Sequence, residues 1–548
     1  MDIKKAIEGI NIDLDKIADS AAKTIISQLL NIIEYLVEEN KELKEENRKL
    51  RDENSRLKGE QGKPNIRPQT KGSKDISSES ERKKRKKKKL KKSKSKKHKI
   101  KVDRTVVCQV DKAKLPPDAV FKGYKTVLVQ DIIIKTDNVE FKKEVYYSPS
   151  LNEIFLAPLP DGCQGEFGPN VKALIISLHY VHKMTEPAIV EHLRNHGVFI
   201  SPASVSRMIT NKHDSFHQEK QEIVQAGLPS TIYQQMDDTG ARVNGKNYYT
   251  HILCNDYYIA YFTRPRKDRL TILEILMQGQ LSFKFDDLSY ALMECMGLPD
   301  AMLRRLKQRT SAIVMNKQQA GLLLRKLFPK LQKHHKNRRV ILESGAISAY
   351  QQSANAISIL LTDDAPQFKS ITERLALCWI HDGRHYKKLE PIVSQHKRQL
   401  ENFPGQYWEY YHKLLDYKKS ATVAFAKKLS REFDGLFSVK TGYAQLDERI
   451  EKTRLKKESL LLVLQYPNIP LHNNASELGA RAQARYRDIS FQTKNVKGTQ
   501  GKDTFMTIVA TAKKLGVNAF HYILDRISGK LEMPSLAGLI EQRIGSPP

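Results

Sequence analysis

Asp237 and Asp238 close a short apolar run, Ile232 to Met236, and stand just before Thr239-Gly240. Two further runs follow, Asn247 to Cys254 and Tyr257 to Thr263, rich in Tyr, Ile, Leu, Thr and Phe, with Asn255-Asp256 between them as a turn. Residues 231 to 265 therefore predict three successive strands with a carboxylate at the end of the first. A carboxylate on such an edge could hold a hard cation. The plainer alternative is a turn made by the two acids with Gly240. Further on, AISILLTDDAPQF, residues 356 to 368, is a continuous apolar run ending in Asp363-Asp364, the pattern of a buried central strand.

The stretch DDTGARVNGKNYY resembles the first catalytic block of transposases of the insertion-sequence-66 family. These are DDE transposases with a ribonuclease-H-like core. The apolar run ending in Asp363 resembles the second block, with Asp364 as the near alternative. NIPLHNNASELGARAQARYRDISFQTKN, from Asn468, resembles the third: paired Asn473-Asn474 precede the matching acid, Glu477. LALCWIHDGRHYKKLEP resembles the block of Cys, two residues, then His, at Cys378 and His381 with Arg384. That pair alone is a weak zinc signal, and packing around the catalytic strand is the better account. The resemblance covers roughly residues 165 to 515 plus the N-terminal helix. It implies Asp237, Asp363 and Glu477 as catalytic residues and metal ligands for Mg2+ or Mn2+; no zinc is expected, because this sequence lacks a second ligand pair. Two such ions activate an attacking oxygen and stabilise a leaving one, so one site serves both DNA cleavage to a 3′-OH and joining to target DNA. Separations of 126 and 114 residues mean that only a fold can bring the three acids together.

The fold class that follows is an α/β ribonuclease-H-like catalytic core with helical insertions. An N-terminal coiled coil, a small β-rich module and a helix-turn-helix region precede it. The expected divisions are a coiled-coil dimerisation helix at 1–60, a basic linker at 61–101, the β-rich module at 102–164 and the helix-turn-helix region at 165–228. The catalytic core then spans 229–515, with insertions at about 281–340 and 386–464, and a tail at 516–548.

Each division has its own signal. Leu29, Leu36, Leu43, Leu50 and Leu57 recur every seven residues, with Ile26, Ile33, Asn40, Asn47 and Asn54 at the companion positions. Leu at d with Asn at a favours a parallel two-stranded coil, hence a homodimer. Residues 82–101 hold 15 Lys or Arg and no acid, a composition that cannot fold alone and suits non-specific contact with phosphates. Many relatives carry a Cys-based zinc domain here, but between residues 102 and 160 this sequence has only Cys108, so a metal-free module is expected. Thr185 caps one helix, Gly197 ends it, and Ser201 caps the next with Pro202 at its first position. Helix, Gly-containing turn, helix is a helix-turn-helix pattern, and Ser204, Ser206, Arg207 and Asn211 are its candidate groove-facing residues. Glu477 falls on the first turn of a helix, with Arg481 and Arg485 on its face, and these with Lys494 are candidate phosphate contacts. The helical stretch 386–464, with Trp408 and several Tyr, is by default an amphipathic bundle, although a Lys- and aromatic-lined face could guide DNA.

The formal net charge is +31 over 548 residues, and about half of the excess lies outside the 82–101 block, which favours a polyanionic partner. No apolar run approaches the ~18 residues that span a bilayer. Five scattered Cys without a CxxC pair argue for a reducing compartment. A cytoplasmic, nucleoid-associated bacterial protein is expected, acting on terminal inverted repeats and target DNA, with accessory proteins of the same element as possible partners and no membrane. The competing functions are a catalytically silent dimeric DNA-binding protein derived from a transposase, and a structure-selective nuclease of the same fold.

Overall fold

A computed structural model describes residues 17–57, 101–111, 114–160, 162–163, 165–333 and 335–545. Apart from Lys101, the basic run lies outside the described residues. The first element is a long helix, α1 (Ser20–Leu57). Residues 101–111 and 114–144 then carry no strand, and a lone antiparallel hairpin follows, β1 (Val145–Ser148) with β2 (Glu153–Leu156). This corrects the expected β-rich module: the strand-forming segments VVCQVD and TVLVQDIIIKT pair with no strand, and Ile132 and Ile133 stand 82% and 84% exposed. β propensity is a tendency to fit a pleated, half-buried surface, and no such surface is offered here.

Four helices follow: α2 (Pro169–Tyr180), α3 (Glu186–Asn195), α4 (Pro202–Thr210) and α5 (Asp214–Gly227). The caps form where the sequence places them. Thr185 Oγ1 accepts from Ala188 N at 3.4 Å, Ser201 Oγ accepts from Ser204 N at 3.1 Å, and Gly197 takes φ +82° between the helices. These helices do not form a separate unit. Ile176, Ile189, Val205 and Ile209 share one continuous core with the strands that follow, so the division expected at 228/229 is not a break in packing.

The chain then enters a meander, β3 (Tyr233–Val243), β4 (Lys246–Cys254) and β5 (Ile259–Arg264). A first insertion contains α6 (Arg269–Leu276), β6 (Ser282–Lys284), α7 (Asp287–Cys295), α8 (Asp300–Arg309), β7 (Val314–Asn316), α9 (Lys317–Leu327) and α10 (Lys336–Gln351). The sheet resumes with β8 (Ile359–Thr362) and β9 (Arg374–Leu377). Its order is β5-β4-β3-β8-β9; the meander is antiparallel, β8 runs parallel to β3, and β9 parallel to β8. All four residues of β8 are buried, as a continuous apolar run requires.

Asp237 does not end its strand. β3 runs six residues further, because β4 pairs with it as far as Val243 opposite Lys246. The turn falls instead at Asn244-Gly245, both with positive φ (47° and 75°), as a tight two-residue hairpin demands.

After β9 come α11 (Trp379–Tyr386), α12 (Ser394–Tyr417), α13 (Val423–Phe437), α14 (Ala444–Arg454) and α15 (Lys457–Leu460). Trp379, Tyr407, Tyr410, Phe433 and Phe437 form an aromatic core among them. The tyrosines that offered a DNA-guiding face are therefore mostly interior, and the amphipathic bundle is what forms. The chain ends in α16 (Asn474–Ser490), α17 (Val496–Lys514), α18 (Ala519–Ile527) and α19 (Leu536–Gly545). The last two correct the expected tail: Tyr522, Ile523, Leu536 and Ile540 are buried in the main core.

α17 also closes the open edge of the sheet. Asp503, Thr507 and Thr511 recur every four residues on one helix face, and their side chains accept from the unpaired amides of β5. Asp503 Oδ2 takes Thr263 N at 2.6 Å, Thr507 Oγ1 takes Tyr261 N at 3.1 Å, and Thr511 Oγ1 takes Ile259 N at 3.2 Å. A bare edge would otherwise invite pairing with another chain. Thr507→Val keeps the shape but orphans the Tyr261 amide, and is expected to cost about 1–3 kcal/mol. A urea midpoint unchanged from the parent would refute this role.

Candidate active site

Gln235 lies beside Leu361 in the parallel register of β3 and β8, so two more residues along each chain bring Asp237 and Asp363 side by side. β8 stops at Thr362, and Asp363 begins the departing loop, where Ala365 N donates to its Oδ1 at 3.2 Å. Asp237 is opposite Ile252 in the antiparallel pair with β4, so the two share a face of the sheet. α16 lies on that face. A Cβ at Gly479 would stand 2.6 Å from Ile259 Cδ1 and 2.8 Å from Ile252 Cγ2, so glycine is what admits the helix this close. Glu477, in the first turn of α16, is thereby carried to the two aspartates.

Burial, reinforced by the charges of Asp363, Asp238 and Glu477, pushes the Asp237 carboxyl up to about 7. Burial likewise raises Asp363, with Asp238 and Asp364 adding to it and the Ala365 amide and His381 opposing. Among the described residues neither is ion-paired with Lys or Arg. Their neighbours are: Asp238 pairs with Lys267 at 3.6 Å and accepts from Gln367 Nε2 at 3.0 Å, while Asp364 pairs with Lys456 at 2.6 Å and Lys369 at 3.4 Å. Each acidic doublet is thus split into one acid neutralised by lysine and one left facing its counterpart. Two uncompensated carboxylates that repel in a half-buried site fit a divalent cation with oxygen ligands.

Glu477 has cationic company. Arg384 Nη2 lies 3.4 Å from its Oε2, Arg481 Nη2 3.8 Å from the same atom, and His381 Nδ1 3.6 Å from Oε1. Cys378, His381 and Glu477 place ligand-type atoms within 4.8 Å of one another. Arg384 Nη1 also lies 3.3 Å from His381 Nε2, and a guanidinium can only donate. Nε2 is thereby the accepting nitrogen, while Nδ1 has no hydrogen-bond partner among the described residues and lies 3.6 Å from Glu477 Oε1. Burial pushes the Cys378 thiol up to about 12 in the metal-free fold. The Arg384 guanidinium bridges His381 and Glu477 beside the aspartates.

The other predicted residues lie on surfaces. Arg207 and Asn211 are exposed at the end of α4, with Ser204 Oγ accepting from Arg207 Nη2 at 3.2 Å. Arg481 and Arg485 are exposed on α16, and Lys494 follows it. Thr493 pairs with the far end of β3, through Asn244 N to Thr493 O at 2.8 Å. The position of a Cβ on Gly498 lies 3.8 Å from Thr210 Cγ2, so the Lys494 segment adjoins the end of α4. Arg487 is structural, donating to Gly240 O at 2.8 Å, and Tyr486 is bonded to buried His179 Nε2 at 2.6 Å. Sequence reasoning missed the link from Arg384 to Glu477 and the lysines that neutralise Asp238 and Asp364. It also passed over the Asn244-Gly245 hairpin, a signal open to view.

Residues 164–288 match the family model described as Transposase IS66 family. The chain carries an IS66-family transposase domain. The matched stretch of that IS66-family domain includes α2 to α5, the meander and Asp237; Asp363 and Glu477 lie beyond it. A relative from Sinorhizobium fredii (strain NBRC 101917 / NGR234), named uncharacterized protein y4jO, is 28% identical over 311 residues, covering 56% of this chain and 94% of its own. Among the described residues no helix is long and apolar enough to cross a membrane.

Proposed function

We propose that the chain is a DDE transposase that binds the terminal repeats of its insertion sequence, exposes 3′-OH ends and joins them to target DNA. The observation that carries this is the convergence of Asp237, Asp363 and Glu477 from two adjacent parallel strands and a helix laid across the sheet. The strand order, with three antiparallel strands followed by two parallel to the first, supports a ribonuclease-H-like core. Mg2+ or Mn2+, when bound by these three carboxylates, supplies Lewis acidity toward the scissile phosphate and the attacking oxygen. Asp237, raised to about 7 in the metal-free fold, would have to lose its proton to serve as a ligand. Glu477 would be the third ligand, and Arg384 and Arg481 beside it would face phosphate charge. Water is the nucleophile in cleavage, and the freed 3′-OH in joining.

The exposed α4 face and the adjoining Lys494 segment support a helix-turn-helix that reads the repeats. Arg207→Ala and Asn211→Ala are expected to cost about 1–3 kcal/mol of preference for the repeats over random DNA. Binding to random duplex should persist and fall steeply with salt, since phosphate contact releases counterions. Equal loss on both DNAs in a competition assay would contradict the assignment. The deciding experiment incubates the full chain with the element's own ends, a target plasmid and Mg2+ or Mn2+. Nicks bearing 3′-OH and strand-transfer products are expected. Repeat binding without either would favour the catalytically silent alternative, and nicking without joining the nuclease.

A further inference from the structure

The heptad helix α1 has two halves with different surroundings. Its first half is fastened to the helical bundle of the same chain. Leu30 and Val393 are buried together, with Ile17 and Ile26 against them. Asn31 Nδ2 donates to Gly442 O at 3.0 Å, and its Oδ1 accepts from Ala444 N at 2.8 Å. Glu34, only 4% exposed, accepts from Ile392 N at 2.8 Å and Val393 N at 2.7 Å, with His396 Nδ1 3.4 Å away. A buried carboxylate satisfied by two amides and a histidine is a specified contact.

The second half stands away from the bundle. From Glu38 to Arg51 every residue is exposed, and the contact that reaches across to the bundle is Lys41 to Glu390 at 2.9 Å. Leu36, Leu43 and Leu50 are 49%, 56% and 59% exposed on one face. A helix of this length with so little tertiary support is marginal in water.

Its charges identify what covers it. The positions just before each a residue, Glu39, Glu46 and Glu53, are all acidic; those just after each d residue, Lys44, Arg51 and Lys58, are all basic. In a parallel, in-register pair each g residue meets the e residue five positions later in its partner. That sets Glu39 against Lys44, Glu46 against Arg51 and Glu53 against Lys58, while an antiparallel pair would oppose like charges. One heptad earlier, the corresponding g and e residues are Ile32 and Val37, both apolar, and the e residue before that is the docked Leu30. The change from apolar to charged e positions falls where the helix leaves the bundle.

We infer that α1 is an anchored coil: Ile26 to Glu34 fix it to the edge of its own bundle, and Leu36 to Leu57 form a parallel, in-register interface with a second copy of this chain. This rests on the parallel, dimeric reading of the leucine seam and adds the charge pairing that sets its register, its extent and its attachment to the bundle. Pairing of two coils then sets the placement of two catalytic cores, since Glu34 is bonded to the segment that leads from α11 into α12.

The test uses the full chain. Light scattering across a dilution series reads mass for the parent, for Lys44→Glu with Arg51→Glu, for Glu39→Lys with Glu46→Lys, and for the two variants mixed. The parent is expected to be dimeric, each variant to dissociate at a concentration at least tenfold higher, and the mixture to recover parent-like dimers. Asn47→Cys adds orientation: in a parallel coil the two introduced thiols face each other and form an interchain disulfide under mild oxidation. A dimer indifferent to charge reversal, or one without that disulfide, overturns the interface and leaves dimerisation standing. A parent that stays monomeric brings down the dimeric reading itself. Glu34→Ala tests the anchor: mass unchanged, with the Ile392 and Val393 amides exchanging at least tenfold faster. Equal exchange rates in parent and variant overturn the anchor.

Discussion

Asp237→Asn, Asp363→Asn and Glu477→Gln, each taken singly, are expected to abolish both cleavage and joining. Each change keeps the side chain's shape and removes one negative charge from a site that must hold divalent cations against a phosphodiester. Metal-ion catalysis is worth several kcal/mol of transition-state charge stabilisation, and a loss of about 4 kcal/mol is on the order of a 10³-fold fall in rate. Binding to end DNA survives, because Arg207, Asn211 and Lys494 lie on other surfaces. The controls lie one residue along each strand. Asp238 is held by Lys267 and Gln367, and Asp364 by Lys456 and Lys369, so Asp238→Asn and Asp364→Asn should keep most of the activity. The measurement is product formation on labelled end DNA with Mg2+. Full activity in Asp363→Asn with loss in Asp364→Asn would move the assignment by one residue. Full activity in Glu477→Gln would remove the helix-borne acid from the mechanism.

Cation binding is expected to be strongly linked to protons. The Asp237 carboxyl titrates at about 7 in the metal-free fold, against an ordinary value of 3.8. Below about 7 a bound cation must expel that proton, so apparent affinity for Mn2+ or Mg2+ should rise up to tenfold per pH unit and flatten above it. The stability consequence has the opposite sign without metal. Between about 4 and 7 the folded chain holds a proton that the unfolded chain has released, so metal-free stability falls as pH rises through that window. Added cation offsets the loss, and the shift in melting temperature on adding Mn2+ should be larger at pH 8 than at pH 6. Asp237→Asn should flatten both dependences. An affinity for Mn2+ that does not change between about pH 5.5 and 7 would show that Asp237 is not a ligand, or is not protonated in the empty site.

Much of the site could be read locally because its signals are local. An apolar run that stops at an acidic doublet marks a buried strand and its end, and β8 with Asp363-Asp364 follows that pattern. Thr185 and Ser201 cap helices through bonds spanning three residues, which need no tertiary context. Asp237 was placed correctly in the chain but wrongly at a strand end. The pairing that carries β3 on to Val243 depends on a hairpin at Asn244-Gly245, and the Asp-Asp-Thr-Gly sequence looked more like a turn than it is.

The sequence by itself determined the buried strand that runs up to Asp363-Asp364, the helix that bears Glu477, the cationic balance and the leucine repeat, since each rests on residue type and short spacing; the grouping of the three acids came from the family resemblance. Tertiary structure alone showed which acid of each doublet is paired with lysine. Neighbours on a strand point to opposite faces, and the lysines that neutralise Asp238 and Asp364 come from distant segments. It alone joined α2 to α5 and the last two helices to the main core, because apolar faces show that burial is needed but not against what. It alone showed what the first half of α1 rests on: the apolar flanking positions Leu30, Ile32 and Val37 mark that end in the sequence, but only the bundle beside Leu30 and Glu34 shows what meets it.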